Sequence, residues 1–320
     1  MSSYPKIGVT LPSMVGEREA TWAEIKSVTL AAETAGIDSV WYMDHFFVNR
    51  PQGRLGVFEC WTLMTAVAAI TERVRVGSLV LCQSFRHPAL LAKAAATFQE
   101  LSGGRLVLGL GAGWLEQEYR EFGFPFDRRV ARLEEYVEIV IALLAGETVT
   151  HRGRFFTLED ARLLPTPAPT PVWIATLRPR MNALLGRIGH GWNGAWYGDN
   201  VEPFRVRLAS LRTEIEAAGR DPSTLEMSAG LLAVPVESER DAPRALEFVR
   251  RAAAPFAALA DEELRARVFV GTPERLAELA AAFGDAGADS VIVSLGPNPF
   301  GVADAEMVEP ALRALAAGAR

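Results

Sequence analysis

Eight short β-branched or apolar runs alternate with longer helical patterns along the chain, and no other feature narrows its fold so far. The runs lie at Ile7 to Thr10, Ser39 to Met43, Val74 to Leu81, Leu106 to Leu110, Val172 to Ala175, Gly191 to Ala195, Met227 to Val234 and Ser290 to Val293. Alternation of this kind is the pattern of parallel α/β architecture. Helical stretches such as WAEIKSVTLAAETAG, HPALLAKAAATFQELSGG and TPERLAELAAAFGDAGAD precede the second, fourth and eighth runs, and the last two close on glycine-containing stops, as helix C-termini do. Eight units in 320 residues, with no linker or break in composition, predict one α/β domain over residues 1–320, a (β/α)8 TIM barrel. A doubly wound sheet of five or six strands would leave runs unassigned.

Two units carry extra length. Leu115 to Thr170 inserts a helix (Asp127 to Leu144) and a hairpin around ETVTHRGRFFTLED after the fourth strand, and Pro235 to Val270 is inserted after the seventh. In a barrel such insertions lie over the C-terminal mouth, where active sites are found.

The fourth run ends in RLVLGLGAGW, with glycines at 109, 111 and 113. A dinucleotide fingerprint, G-x-G-x-x-G, would need glycine where Trp114 stands, and it belongs to the first unit of a Rossmann half, whereas this strand is the fourth of eight. Two readings remain. Bare backbone at a strand end admits a flat ring or a polar tail; alternatively, small residues fit a tapering barrel interior.

Composition excludes other classes. A net charge of −6 without a basic stripe gives no nucleic-acid footprint. No apolar run reaches the roughly 18 residues of a membrane span, and MSSYPKIGVTLP has neither a basic leader nor an apolar segment, so a cytoplasmic protein is expected. Cys60 and Cys82, each in an apolar setting, read as core residues rather than a disulfide framework or zinc site.

Candidate site residues cluster at strand ends. VWYMDHFF puts Asp44 and His45 at the C-terminal end of the second strand, where catalytic groups of barrels project, and the adjacent carboxylate could hold or charge the ring. The competing reading is a helix-capping Asp beside a rim histidine. His87 reads as the start of a helix, His151 lies in the hairpin and His190 precedes the sixth strand; none is spaced with a carboxylate as a metal ligand, so no metal is expected. After the fifth strand, Thr176, Leu177 and Arg178 lead into Pro179, a residue suited to the first helical position, so a helix N-terminus flanked by Arg178 and Arg180 is available to a phosphate; the competing reading is a solvated arginine pair. Trp41, Phe46, Trp61, Trp114, Trp192 and Trp196 are candidates for an aromatic mouth lining.

The stretches ECWTLMTAVAAITERVRVGSLVL, FRHPALLAKAAATFQELSGGRLVLGLGAGW, EYREFGFPF, RVARLEEYVEIVIALL, FFTLEDARLLPTPAPTPVWIA and GTPERLAELAAAFGDAGADSVIV together resemble the bacterial luciferase-like family, and within it the branch that uses the deazaflavin coenzyme F420. The resemblance runs from about Lys6 to Val293. It implies a barrel whose mouth binds flavin or deazaflavin. It further implies that Asp44 contacts the cofactor and His45 faces the reacting centre, and that a bulge with a non-prolyl cis peptide near Leu79 and Val80 supports the ring. By the same resemblance Gly111 and Gly113 lie along the cofactor, and Thr176, Leu177 and Arg178 lie at its phosphate. Two departures stand out. The glycine-rich turn usual after strand five reads ATLRPR here, and the glutamate of the branch's sugar-phosphate dehydrogenases is replaced by Trp114, which argues against sugar-6-phosphate oxidation.

The expected activity is hydride transfer between F420 and a small, largely apolar organic substrate, with His45 as general acid or base. The alternatives are an FMN-dependent monooxygenase of the same superfamily and a non-catalytic flavin-binding barrel. The expected partner is a small molecule, with a homodimer as a candidate assembly.

Overall fold

The computed structural model describes residues 4–176 and 178–318. Its centre is a closed ring of eight parallel strands: β1 (Lys6–Thr10), β2 (Ser39–Tyr42), β3 (Arg75–Ser78), β4 (Leu106–Gly111), β5 (Val172–Ala175), β6 (Gly191–Tyr197), β7 (Glu226–Pro235) and β8 (Ser290–Ser294). Each pairs with the next, and β8 returns to β1 with Ile7 opposite Val291, so the ring has no free edge. The expected (β/α)8 barrel is therefore the observed one.

Helices α1 (Trp22–Ala35), α2 (Cys60–Ala69) and α3 (Pro88–Ser102) cover the first units. Local chemistry sets their ends. Thr21 and Glu24 form a reciprocal capping box on α1, and Gly36 and Gly103 stop α1 and α3 in the left-handed region. After β4 come α4 (Glu116–Phe122), α5 (Arg129–Leu144) and the hairpin Val149–Arg152 with Thr157–Ala161. Helices α6 (Pro179–Ile188) and α7 (Glu202–Ala217) follow β5 and β6. The insertion after β7 holds α8 (Ala242–Ala252) and α9 (Asp261–Arg265), and returns through a strand at Phe269–Gly271 that pairs with the end of β7. Helices α10 (Pro273–Asp285) and α11 (Val308–Ala317) complete the ring. No helix among the described residues is long and apolar enough to cross a membrane.

The barrel interior is filled by two large rings. Trp41 of β2 and Trp173 of β5 meet with centroids 5.0 Å apart, packed with Val107, Ile292 and Leu79. Neighbouring strands give them room through glycines: a Cβ on Gly77 would lie 2.3 Å from the Trp41 ring, and one on Gly191 would lie 2.5 Å from Trp173. Gly109 meets backbone instead, since its Cβ would lie 2.0 Å from the Ser78 carbonyl oxygen. Gly109→Ala should thus cost about 3 kcal/mol, because a backbone oxygen cannot swing aside. Gly104→Ala, at φ +89 with open space around it, should cost about 1 kcal/mol. Denaturant unfolding of the two variants measures both.

Candidate active site

A cavity of about 790 Å³ opens at the C-terminal mouth of the barrel, walled by the ends of β2 to β7 and by the loop after β8. Asp44 and His45, which follow β2, both reach it, yet they hold different partners. The buried Asp44 carboxylate accepts two hydrogen bonds from the Arg86 guanidinium, at 2.7 and 3.0 Å, and one from the Cys82 N–H at 2.9 Å. Arg86 also pairs with Glu59. Burial alone would lower the Arg86 pKa, but the Asp44 charge more than reverses this and keeps the guanidinium cationic.

His45 is held from elsewhere. Its Nδ1 lies 2.9 Å from Oε2 of Glu118 on α4, and Oε1 of the same carboxylate accepts the N–H of Phe46 at 2.6 Å. The Glu118 side chain is 2 % exposed. The imidazole is further fixed edge-on by Phe300 and Trp114, at 5.0 and 5.7 Å between centroids. With Nδ1 committed to a carboxylate, Nε2 is the nitrogen left for proton transfer. The expectation that the neighbouring Asp44 would hold the ring is corrected here: Arg86 and the Cys82 amide occupy Asp44, and Glu118 holds the ring. Neither Glu118 nor Arg86 was singled out from the sequence. The only signal was their charge, on a short helix and beside His87.

The wall between β3 and β4 carries a cis Leu79–Val80 peptide, at the position the resemblance implies. Leu79 and Val80 line the cavity, and pairing with β4 resumes at Leu81–Cys82. The close glycine spacing has its cause in this wall. A Cβ on Gly111 would lie 2.4 Å from Val80 Cγ2, and one on Gly113, at φ +70, would lie 2.0 Å from the Tyr119 hydroxyl. Both glycines border the cavity, and both are also required by contacts within the protein. Cys82 lies against that hydroxyl, and burial pushes its thiol up to about 12.

The opposite wall holds the anion candidates. Thr176 donates its hydroxyl to Oδ1 of Asn182 at 2.7 Å, so its proton is used inside the protein. Arg178 is exposed at the N-terminus of α6 and lines the cavity, together with Arg129 and Arg180. Arg180 pairs with Glu134, at 2.7 Å. Leu177 lies outside the described residues. An adjoining groove of about 450 Å³ at the N-terminus of α5 is bordered by Arg128, Arg129, Arg154 and Arg180.

Of the six aromatics expected at the mouth, Trp114 and Trp196 line the cavity. Trp41 plugs the barrel below it, Trp61 packs on Phe98, Trp192 faces outward onto Phe204, and Phe46 stacks on Phe122 of α4 at 4.0 Å. The strands are apolar on both faces, so side-chain type alone does not separate inward from outward positions. Among the other histidines, His87 caps α3, His151 pairs with Glu135 and His190 accepts the Val172 N–H.

A closed barrel with a buried carboxylate–imidazole pair facing a mouth cavity is the framework of an enzyme of the α/β barrel class. The chain belongs to the luciferase-like monooxygenase family, whose model matches residues 6–290. It is 34% identical over 235 residues to an F420-dependent glucose-6-phosphate dehydrogenase of Amycolatopsis mediterranei (strain U-32), covering 71% of this chain and 68% of that protein. It is also 34% identical over 224 residues to an F420-dependent hydroxymycolic acid dehydrogenase of Mycobacterium tuberculosis (strain ATCC 25618 / H37Rv), covering 69% of this chain and 61% of the relative. An F420-dependent secondary alcohol dehydrogenase in complex with an F420-acetone adduct shares the fold, with a TM-score of 0.81 at 19% identity over 99% of each chain. A monooxygenase from Streptomyces bottropensis matches with a TM-score of 0.78 at 26% identity over 98% of each chain.

The Glu118 carboxylate answers several donors at once, so Glu118→Ala should lower stability by about 3 kcal/mol by leaving buried N–H groups unpaired. Glu118→Gln, which keeps an acceptor for the Phe46 N–H, should lose about half as much. Thermal unfolding of the two variants compares them.

Proposed function

We propose that this chain, an F420-dependent oxidoreductase of the luciferase-like family, exchanges a hydride between the deazaflavin and a small, largely apolar organic substrate at a carbon bearing oxygen. The observation that carries the reading is the His45–Glu118 pair at the cavity wall. The relatives named as F420-dependent support the choice of cofactor. The residues present also fit such a group. The cavity is within the size range of cofactor sites, its walls are mainly apolar, and its one strongly basic side, at Arg129, Arg178 and Arg180, suits a phosphate-bearing tail. Leu79, Val80, Gly111 and Gly113 would lie along the ring system, and Thr176 and Arg178 near the phosphate, with Asp44 acting through the loop that it ties to Arg86.

When bound, the deazaflavin supplies two-electron hydride chemistry. The protein's part is to move the matching proton. Nδ1–H donation to Glu118 leaves a lone pair on Nε2, which takes the proton from a substrate hydroxyl as its carbon is oxidised; in the reverse direction the imidazolium returns that proton to the carbonyl oxygen. The Glu118 carboxylate stays bonded at Nδ1 and keeps the ring in one orientation throughout. Trp114, Phe256, Pro297 and Phe300 form an apolar wall that suits a substrate with little polar surface.

Titration followed by tryptophan fluorescence should show F420 binding at least about tenfold tighter than FMN, a difference of about 1.4 kcal/mol. Arg178→Ala should weaken F420 binding by about tenfold and leave a tail-less deazaflavin unaffected. Tighter FMN binding would favour the monooxygenase reading, which the family description and the Streptomyces neighbour also support.

His45→Ala should lower turnover by about a hundredfold or more while cofactor affinity stays within a few-fold. Unchanged turnover would make the histidine a rim residue.

A further inference from the structure

Asn193 stands on β6, in register with Ala175 of β5 and Ser228 of β7. It is 5 % exposed and lines the mouth cavity, and its buried Nδ2 and Oδ1 have no hydrogen-bond partner among the described residues. A buried amide left unpaired is unfavourable, so a wall residue in this state points to something that enters the cavity and bonds to it. The polar groups around it are already engaged: Ser228 donates its hydroxyl to the Trp192 carbonyl at 2.7 Å, and Thr176 donates to Asn182.

The backbone places the amide there. Register with β7 slips between Asn193 and Trp196, and a bulge of this kind re-aims side chains at a barrel rim. Gly194 permits the slip, since a Cβ there would lie 2.2 Å from the Ser228 carbonyl oxygen. In the closed ring β6 is four strands from β2, so Asn193 and His45 occupy opposite sides of the mouth.

We propose that Asn193 reads the edge of the cofactor ring, donating from Nδ2 to a ring carbonyl and accepting at Oδ1 from the adjacent ring N–H. This rests on the reading above that the site takes a deazaflavin. The pyrimidinedione edge of that ring carries an N–H flanked by two carbonyls and matches an amide side chain in either direction. A largely apolar substrate offers no such adjacent donor and acceptor.

The test uses Asn193→Leu, of nearly equal size, and two ligands: the tail-less deazaflavin chromophore and the same chromophore methylated at the ring N–H. Binding is read by tryptophan fluorescence. Wild type should bind the methylated ring roughly tenfold or more weakly, and N193L should bind both rings equally, at about the affinity of wild type for the methylated one. The thermal midpoint of N193L without ligand should equal or exceed that of wild type, because an unpaired buried amide has been removed. The proposal is overturned if N193L binds the unmethylated ring as tightly as wild type, if it still discriminates between the rings, or if weaker binding comes with a lower midpoint. A raised KM with unchanged cofactor affinity would place the amide against the substrate and also overturn it. Should wild type bind FMN and not the deazaflavin, the functional reading fails separately; FMN has the same edge, and the comparison made with FMN and its methylated form then decides the role of Asn193.

Discussion

The Glu118 carboxylate bonds to groups that lie more than seventy residues away in the chain, and the geometry of the mouth depends on it. It accepts the Phe46 N–H and holds His45 Nδ1, which fixes both the path of the chain after β2 and the orientation of the imidazole. The rest of its short helix works in the same sense. Tyr119 bonds to the Ala112 carbonyl beside the end of β4, and Phe122 stacks on Phe46. Seven residues of α4 thus tie the chain after β2 to the unit of β4, two units whose strands are separated by β3. A buried charge supplied with several donors is a stable arrangement, and its directional bonds give the histidine one orientation.

Beneath this clasp the barrel narrows onto a solid floor. The Trp41–Trp173 pair occupies the interior because glycines on adjacent strands leave room for it, and the cis Leu79–Val80 segment lies above it at the cavity wall. The glycines of β4 serve the same packing logic, since they let β3 and α4 approach. A cavity at the mouth and a filled interior are two results of one alternation of very large and very small residues.

How much of this could be read from the sequence differs from element to element. The strands were legible because buried parallel strands are apolar runs of characteristic length, although β3 stops at Ser78 and pairing resumes only at Leu81, a break that propensity does not signal. Asp44 and His45 were legible as strand-end groups. Their partners were not, because Glu118 and Arg86 become neighbours of the pair only through the side-by-side packing of the β2, β3 and β4 units, and a charged residue on a short helix looks like any solvated face. Trp41 and Trp192 were misassigned to the mouth for a related reason: where both faces of a strand are apolar, the direction of a side chain is set by the phase of the strand and its bulges. Asn193 escaped notice among the aromatics of HGWNGAWYG because its state depends on what its neighbours bond to.

The polar bonds of the mouth are unevenly distributed around it. Those that position His45 and Asp44 come from the units of β2, β3 and β4, whereas the units of β7 and β8 contribute the apolar Leu232, Phe256, Pro297 and Phe300, and Asn298, whose Oδ1 accepts the Phe300 N–H of its own loop. Substitutions on that second arc change the shape of the wall without unpairing a charge. The first arc is therefore constrained by ion pairs and the second mainly by volume, which leaves the latter freer to diverge in evolution and gives descendants of this barrel a route to new substrates with the same proton-transfer apparatus.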